Sequence, residues 1–169
     1  MLFRSRFFQL NVHFLRFVKV NDAYRLYKQL NMSELSLPTG FDLREHYCRR
    51  WLTVRLLKEL EEEGGHGPLV GIQRSRFLES QKEFLCFGVS RQDNLPPFRR
   101  TSVILGMRYD DRLRDVVRFA NDPVIPEGLL NETCERCPLS GDECPDRAAP
   151  PTRWLELQAA KEQIGRAHV

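Results

Sequence analysis

The 169-residue chain has no run of about 18 apolar residues, so the sequence predicts no membrane-spanning helix and no membrane partner. Its first twenty residues, MLFRSRFFQLNVHFLRFVKV, hold no acid, yet Arg4, Arg6, Arg16 and Lys19 interrupt every apolar stretch. The continuous core of a secretory signal is therefore missing, and the segment reads as a buried strand or helix that begins the fold. Catalytic signatures are absent too. REHYCRR (44–50) lacks the second His of HExxH, and the chain contains neither a phosphate-binding P-loop nor a serine nucleophile elbow. No enzymatic activity is expected. The net charge of +3 is too small to imply nucleic-acid binding, and residues 1–60 carry no helix-turn-helix pattern. Internal repeats and low-complexity tracts are also lacking.

What is present is a cluster of thiols. Three of the five cysteines fall in NETCERCPLSGDECP (131–145), at C-x2-C-x6-C: Cys134, Cys137 and Cys144. Without a secretion signal, clustered cysteines are metal ligands more often than disulfides. A tight C-x2-C turn brings two thiolates onto one ion, and Gly141 offers the spacer freedom to return Cys144 to them. Zinc and an iron–sulfur cluster both normally take four protein ligands, so the loop is one sulfur short. The fourth position is open to Cys48, Cys86, an exogenous small molecule or a residue outside the chain. Cys86 lies mid-strand and reads first as an inert buried thiol; Cys48, with His46, reads first as packing or surface on a helix. Glu132, Glu135, Asp142 and Glu143 surround the loop, partly offset by Arg136 and Arg147, and would disfavour reduction of a bound cluster.

Periodicity organises the rest. DAYRLYKQLN (22–31) reads as a short helix. A second, stronger helix is predicted from an Asp42 cap, with Leu43, Tyr47, Trp51, Val54, Leu57 and Leu60 on one face and a stop at Gly64-Gly65. PLVGIQRSRF, KEFLCFGVSR and RTSVILGMRY read as three antiparallel strands. DDRLRDVVRFAN (110–121) is a helix with Leu113, Val116, Val117 and Ala120 inward, followed by two proline-containing turns, the cysteine loop and a closing helix from about Pro151. The sum is an α+β fold: an antiparallel sheet flanked by helices, with a Cys-rich metal loop near the C-terminus. The tail IGRAHV (164–169) resembles an in-frame translation of a sequencing adapter, so the natural protein is expected to continue beyond Gln163, and Met1 is an equally arbitrary start. His168 is accordingly left out as a ligand.

ILGMRYDDRLRDVV followed by NETCERCPLSGDECPDRAAPP resembles the C-terminal domain of the short-chain fatty acyl-CoA regulators, a family of bacterial transcription regulators with an N-terminal helix-turn-helix domain. The family's loop ends in C-x-x-R-A-x-P-P, matched by Cys144, Arg147, Ala148, Pro150 and Pro151. LPTGFDLREHYCRRW resembles its upstream helix, with Cys48 near Trp51. The similarity covers about residues 35–155. It implies a cytoplasmic sensor domain that binds short-chain acyl-CoA, acts as a homodimer, and holds a four-iron iron–sulfur cluster on Cys134, Cys137 and Cys144. The residues themselves leave an alternative, a Zn-stabilised protein-interaction module without a small-molecule ligand. DNA would be read by a helix-turn-helix domain not present in this chain. The resemblance divides the chain into an N-terminal arm or helix (1–34), the sensor domain (35–155), a C-terminal helix (156–163) and the adapter-like tail.

Acyl-CoA needs cations or backbone N–H groups for its phosphates and an apolar slot for its acyl arm. Arg74, Arg76, Arg99, Arg100 and Arg108, all in the strand region, are the expected phosphate contacts, against a background reading of solvated edge charges.

Overall fold

The computed structural model describes residues 10–32, 34–35, 37–38, 44–64, 67–94 and 99–167. Six strands form one mixed sheet in the order β2-β1-β5-β4-β3-β6. They are β1 (Val12–Val20), β2 (Ala23–Leu30), β3 (Leu69–Phe77), β4 (Glu83–Gln92), β5 (Arg100–Arg108) and β6 (Glu127–Leu130). Helix α1 (Leu52–Glu62) lies on one face, while α2 (Asp111–Val116) and the turns after it cover part of the other. A third helix, α3 (Thr152–Ala167), follows the cysteine loop. The α+β class and the three central strands stand as the sequence predicts. Neighbouring strands pair antiparallel except β3 and β6, which run parallel, so the sheet is mixed rather than purely antiparallel.

Three local expectations are corrected. Residues 22–31 form no helix. Ala23–Leu30 is β2, which turns back on β1 through Asn21-Asp22, with Asn21 in the left-handed region at φ 52°. Leu26 and Tyr24 pack against the main core, and that tertiary contact overrides the helical propensity of Ala, Leu, Lys and Gln. Helix α1 begins at Leu52, not near residue 42. Its N-cap is Trp51, with no side-chain cap; Asp42 and Leu43 lie outside the described residues. Tyr47 is instead extended and bridges Thr133. The turns before the cysteine loop also contain β6, which sequence reading missed.

Alternation in the strands assigns the faces. Leu15, Phe17, Phe77, Phe84, Cys86 and Ile104 point toward α1 and join Tyr47, Cys48, Trp51 and Leu57 in the larger core. Gly71 and Gly88 are cross-strand partners beneath the helix. A Cβ on Gly88 would stand 2.7 Å from a Leu56 methyl, and one on Gly71 3.0 Å from a Leu52 methyl, so both glycines let α1 lie close on the sheet. On the opposite face Leu85, Leu113 and Ala120 form a smaller core under α2. Asp110 caps α2 by accepting a hydrogen bond from the Leu113 N–H at 2.9 Å. The helix ends at Val116, six residues long, against the twelve predicted.

Candidate metal centre: four thiols from two segments

The cysteine loop is shaped by local hydrogen bonds. Cys137 N–H donates to the Cys134 carbonyl at 3.2 Å, closing the C-x2-C turn. Ser140 and Glu143 then cap each other: Ser140 N–H donates to the Glu143 carboxylate at 2.8 Å, and Glu143 N–H to the Ser140 hydroxyl at 3.3 Å. This is the reciprocal S-x-x-E arrangement of a helix start, and it brings Cys144 N–H back to the Ser140 carbonyl at 3.1 Å. Gly141 is outside the left-handed region, and a Cβ there would meet nothing within 4 Å. The return of Cys144 therefore comes from the Ser140–Glu143 pair, not from glycine freedom.

Arg147 ties the turns together. Its guanidinium donates to the carbonyls of Leu139 (2.7 Å), Cys134 (2.9 Å) and Ala149 (2.8 Å). The next residue, Ala148, donates its N–H to the Cys134 sulfur at 3.3 Å. The R-A pair of the quoted motif thus has a physical role: Arg147 fixes the loop and Ala148 hydrogen-bonds one of its thiols.

Cys48 reaches the same place from the other side of the sequence. Cys134 N–H donates to the His46 carbonyl at 2.8 Å, and Cys48 N–H to the Glu132 carbonyl at 3.3 Å, on either side of the Tyr47–Thr133 bridge. This ladder sets Cys48 beside the loop. Burial raises the Cys48 thiol, backbone hydrogen bonds involving Asn131 and Arg50 oppose the rise, and the neighbouring Cys134 and Cys137 add to it. Cys144 is pushed up to about 11, first by burial, with Arg50 opposing and with Asp146 and Cys48 contributing. Cys48 therefore lies within electrostatic range of each of the three loop thiols. All four are buried and none is in a disulfide. Among the described residues no group of three or more His, Cys, Asp or Glu side chains is set at metal-binding geometry. Neutral thiols have no mutual attraction, and closing them onto an ion needs that ion's charge.

The donor set suits a soft metal or cluster: four thiols, one of them hydrogen-bonded by a backbone N–H, in a shielded position. Cys86 is not among them. It sits mid-sheet between Gln73 and Gly106, and burial pushes its thiol up to about 12.

Charged side chains brace the two segments around the thiols. Glu45 accepts from Arg136 at 2.7 and 3.0 Å and from the Thr133 hydroxyl at 2.7 Å. Those bonds, led by Arg136, hold the Glu45 carboxyl below its ordinary range. Glu135 accepts from the His46 backbone N–H at 2.9 Å and lies 2.7 Å from His46 Nδ1, while its own carbonyl accepts from Trp154 N–H of α3 at 2.9 Å. Arg50 donates to the Glu143 carbonyl at 2.6 Å, and Trp51 Nε1 to the Asn131 carbonyl at 2.9 Å. Glu132, Glu135, Asp142 and Glu143 do surround the loop, but Glu135 and Glu143 are engaged in holding it.

The five arginines considered for phosphate contact do not converge. Arg74 pairs with Glu127 and donates to the Tyr109 hydroxyl at 3.1 Å. Arg76 and Arg99 are exposed. Arg100 stands 3.6 Å from Glu61 of α1, while Arg108 lies over the Phe84 ring, with Nη1 buried and unpartnered among the described residues. Arg100 and Arg108 end the same strand, roughly 26 Å apart at strand rise, and Arg74 and Arg76 point from the other face.

No helix among the described residues is long and apolar enough to cross a membrane. No protein-family model matches the chain, and no curated protein does. Among solved structures, a Mycobacterium tuberculosis transcriptional regulator aligns at 15% identity with a TM-score of 0.50, over 89% of this chain and 42% of that one. The chain thus spans less than half of that regulator's length, and what the two share is the fold.

Proposed function

We propose that the chain is a ligand-sensing domain of a transcription regulator, not an enzyme, and that Cys48, Cys134, Cys137 and Cys144 together hold an iron–sulfur cluster. The observation that carries this reading is the backbone ladder joining residues 46–48 to 132–134, which adds a fourth thiol to the three of the loop. The motif resemblance and the regulator fold support the regulatory half; the aligned region is less than half of that regulator, consistent with a DNA reader elsewhere in a longer protein.

When bound, such a cluster supplies a local charge that changes with redox state or ligation. The chain's residues would carry that change outward. Arg147 holds the loop carbonyls, and Glu135 links the loop to both His46 and the start of α3. A shift in this bracing would favour one arrangement of a cytoplasmic homodimer over another and so alter the spacing of attached DNA readers. The small ligand is proposed to be a short-chain acyl-CoA, on the resemblance alone.

Anaerobic purification with a visible spectrum and iron, sulfide and zinc analysis tests the metal. Brown protein with iron and sulfide is expected; one zinc per chain in colourless protein would make the thiols a structural staple, and neither metal would refute the site. Calorimetry of the holo protein with short acyl-CoAs tests the ligand, and absence of binding across the series would refute it.

A further inference from the structure

β2 is the outermost strand on the β1 side of the sheet, and its last four residues are exposed. The chain's positive charge is concentrated beside it. Residues 11–31 and 44–50 carry seven cations and two acids, a net +5 where the whole chain has +3. The two segments meet: Tyr24 and Arg25 of the hairpin line one hollow with Arg44 and Arg49. Of the two acids, Glu45 is engaged by Arg136 and Thr133 with its side chain 10% exposed, so Asp22 is the exposed one. Among the described residues no carboxylate forms an ion pair with Arg16, Lys28, Arg44 or Arg49, whereas Lys19 is held by Glu61. Charge on an edge strand serves by itself to discourage strand pairing. Here, however, the cations also bracket two aromatic rings. Arg16 lies over Tyr27 at 5.4 Å from the ring centre, while Lys19 and Arg49 lie over Tyr24 at 5.9 and 4.9 Å. Tyr27 is nonetheless 65% exposed. It stands three residues from Tyr24, roughly 10 Å along the strand.

We infer that this edge is an interface for a single strand of nucleic acid, with Lys28, Arg44 and Arg49 on its phosphates and an unpaired base stacked on Tyr27. Cations interleaved with an exposed ring suit a single strand, whose phosphates and base faces are both accessible, and every base has a π-face. An acidic peptide would use the cations and leave the ring wet. A duplex would offer phosphates but no open base face to the ring. The inference goes beyond the proposed sensing role: it needs neither a metal on the thiols nor an acyl-CoA. It also places a nucleic-acid contact on this chain itself, where the proposed function leaves DNA to attached readers.

The test is fluorescence anisotropy of a labelled oligothymidylate of about twelve nucleotides, titrated with the full chain as purified anaerobically. Duplex DNA of the same length and polyglutamate at equal charge serve as competitors. The single strand is expected to bind more tightly than either, with an affinity that falls as salt rises between about 50 and 200 mM. Tyr27→Ala should weaken binding about tenfold and leave the salt slope unchanged, as loss of one stacked base does. Lys28→Gln and Arg44→Gln should each weaken binding and reduce the slope by about 0.7, one phosphate contact apiece. Arg112→Gln, an exposed cation on α2, should change neither. All four positions are exposed, and circular dichroism checks that each variant is folded. No binding, or binding that Tyr27→Ala and Arg44→Gln leave intact, overturns the assignment. So does polyglutamate that displaces the oligonucleotide as well as unlabelled strand does, which would give the surface to an acidic protein. A preference for duplex that is indifferent to Tyr27→Ala overturns it too, and would give the surface to a double-stranded backbone.

Discussion

Gly106→Ala should damage the fold through a single side chain, His13. The two residues are cross-strand partners in β1 and β5, and the His13 ring lies over the glycine. A Cβ at residue 106 would stand 2.2 Å from both Cε1 and Nε2 of that ring. Comfortable carbon contacts are about 3.5–4.0 Å, so the ring must retreat by roughly 1.3–1.8 Å. It has little room to do so: His13 is 4% exposed and stands edge-on to Phe84 with centroids 4.9 Å apart. Overpacking of this kind costs about 1–3 kcal/mol, and a clash with a fixed ring belongs near about 3 kcal/mol. For a chain of this length that lowers Tm by roughly 6–12 °C. His13→Ala alone opens a cavity and should cost about 2–4 kcal/mol. The double variant puts the new methyl into that cavity, so it should be more stable than the sum of the single effects by at least about 1.5 kcal/mol. Urea unfolding of wild type, both single variants and the double variant, all in one metal state, measures the coupling. Additivity within about 0.5 kcal/mol would show that the ring is not what Gly106 accommodates.

The same histidine should make stability depend on pH. Burial lowers His13 from 6.5 to about 4, so the unfolded chain binds the proton more readily between those values. Its contribution is complete above pH 6.5 and is lost as pH falls toward 4, by about 3 kcal/mol in all. Urea midpoints across that range should fall for wild type and fall less for His13→Asn; an equal fall in both would remove His13 as the cause. Arg147→Ala leaves the carbonyls of Leu139, Cys134 and Ala149 without their shared donor. It should cost about 1–3 kcal/mol and speed loss of bound metal to a chelator, and Arg147→Lys should not restore either, because one ammonium nitrogen cannot stand where Nε, Nη1 and Nη2 each meet a carbonyl. Unchanged metal release in Arg147→Ala would mean that the guanidinium does not hold the loop.

Elements with strong alternation were legible in the sequence, as the three central strands show to within a residue or so. The two hydrophobic faces of β4, Phe84-Cys86-Gly88 and Leu85-Phe87, pack in different cores, one under α1 and one under α2, and strand periodicity carries that information locally. Elements defined by distant partners were not legible. DAYRLYKQLN has helical residues, and only its pairing with β1 makes it a strand. β6 is four residues long, and its partner β3 lies some fifty residues earlier.

The start of α1 misled for a different reason. Leu43, Tyr47, Trp51 and Val54 repeat at helical spacing, yet Tyr47 is buried through an extended segment, edge-on to Phe17 at 4.9 Å and donating its hydroxyl proton to the Pro38 carbonyl at 2.9 Å. On a helix Cys48 is only one of several candidates for the fourth position, read first as packing or surface, because nothing there brings it to the loop. The signal that favoured it was its nearness to Trp51, whose indole in fact bonds the Asn131 carbonyl just before the loop. The loop cysteines themselves stood out by spacing. The Ser140–Glu143 cap is also written in the sequence, as S-x-x-E, beside the Gly141 to which sequence reading assigns the return of Cys144.

Whether Cys48 completes the site is decided most directly by iron, sulfide and zinc content after anaerobic purification of wild type, Cys48→Ser, Cys137→Ser and Cys86→Ser. The ladder from 46–48 to 132–134 predicts that Cys48→Ser loses the metal and the visible spectrum as fully as Cys137→Ser does, while Cys86→Ser keeps both. Full metal occupancy in Cys48→Ser, with loss in Cys86→Ser or in neither, would contradict the four-thiol site.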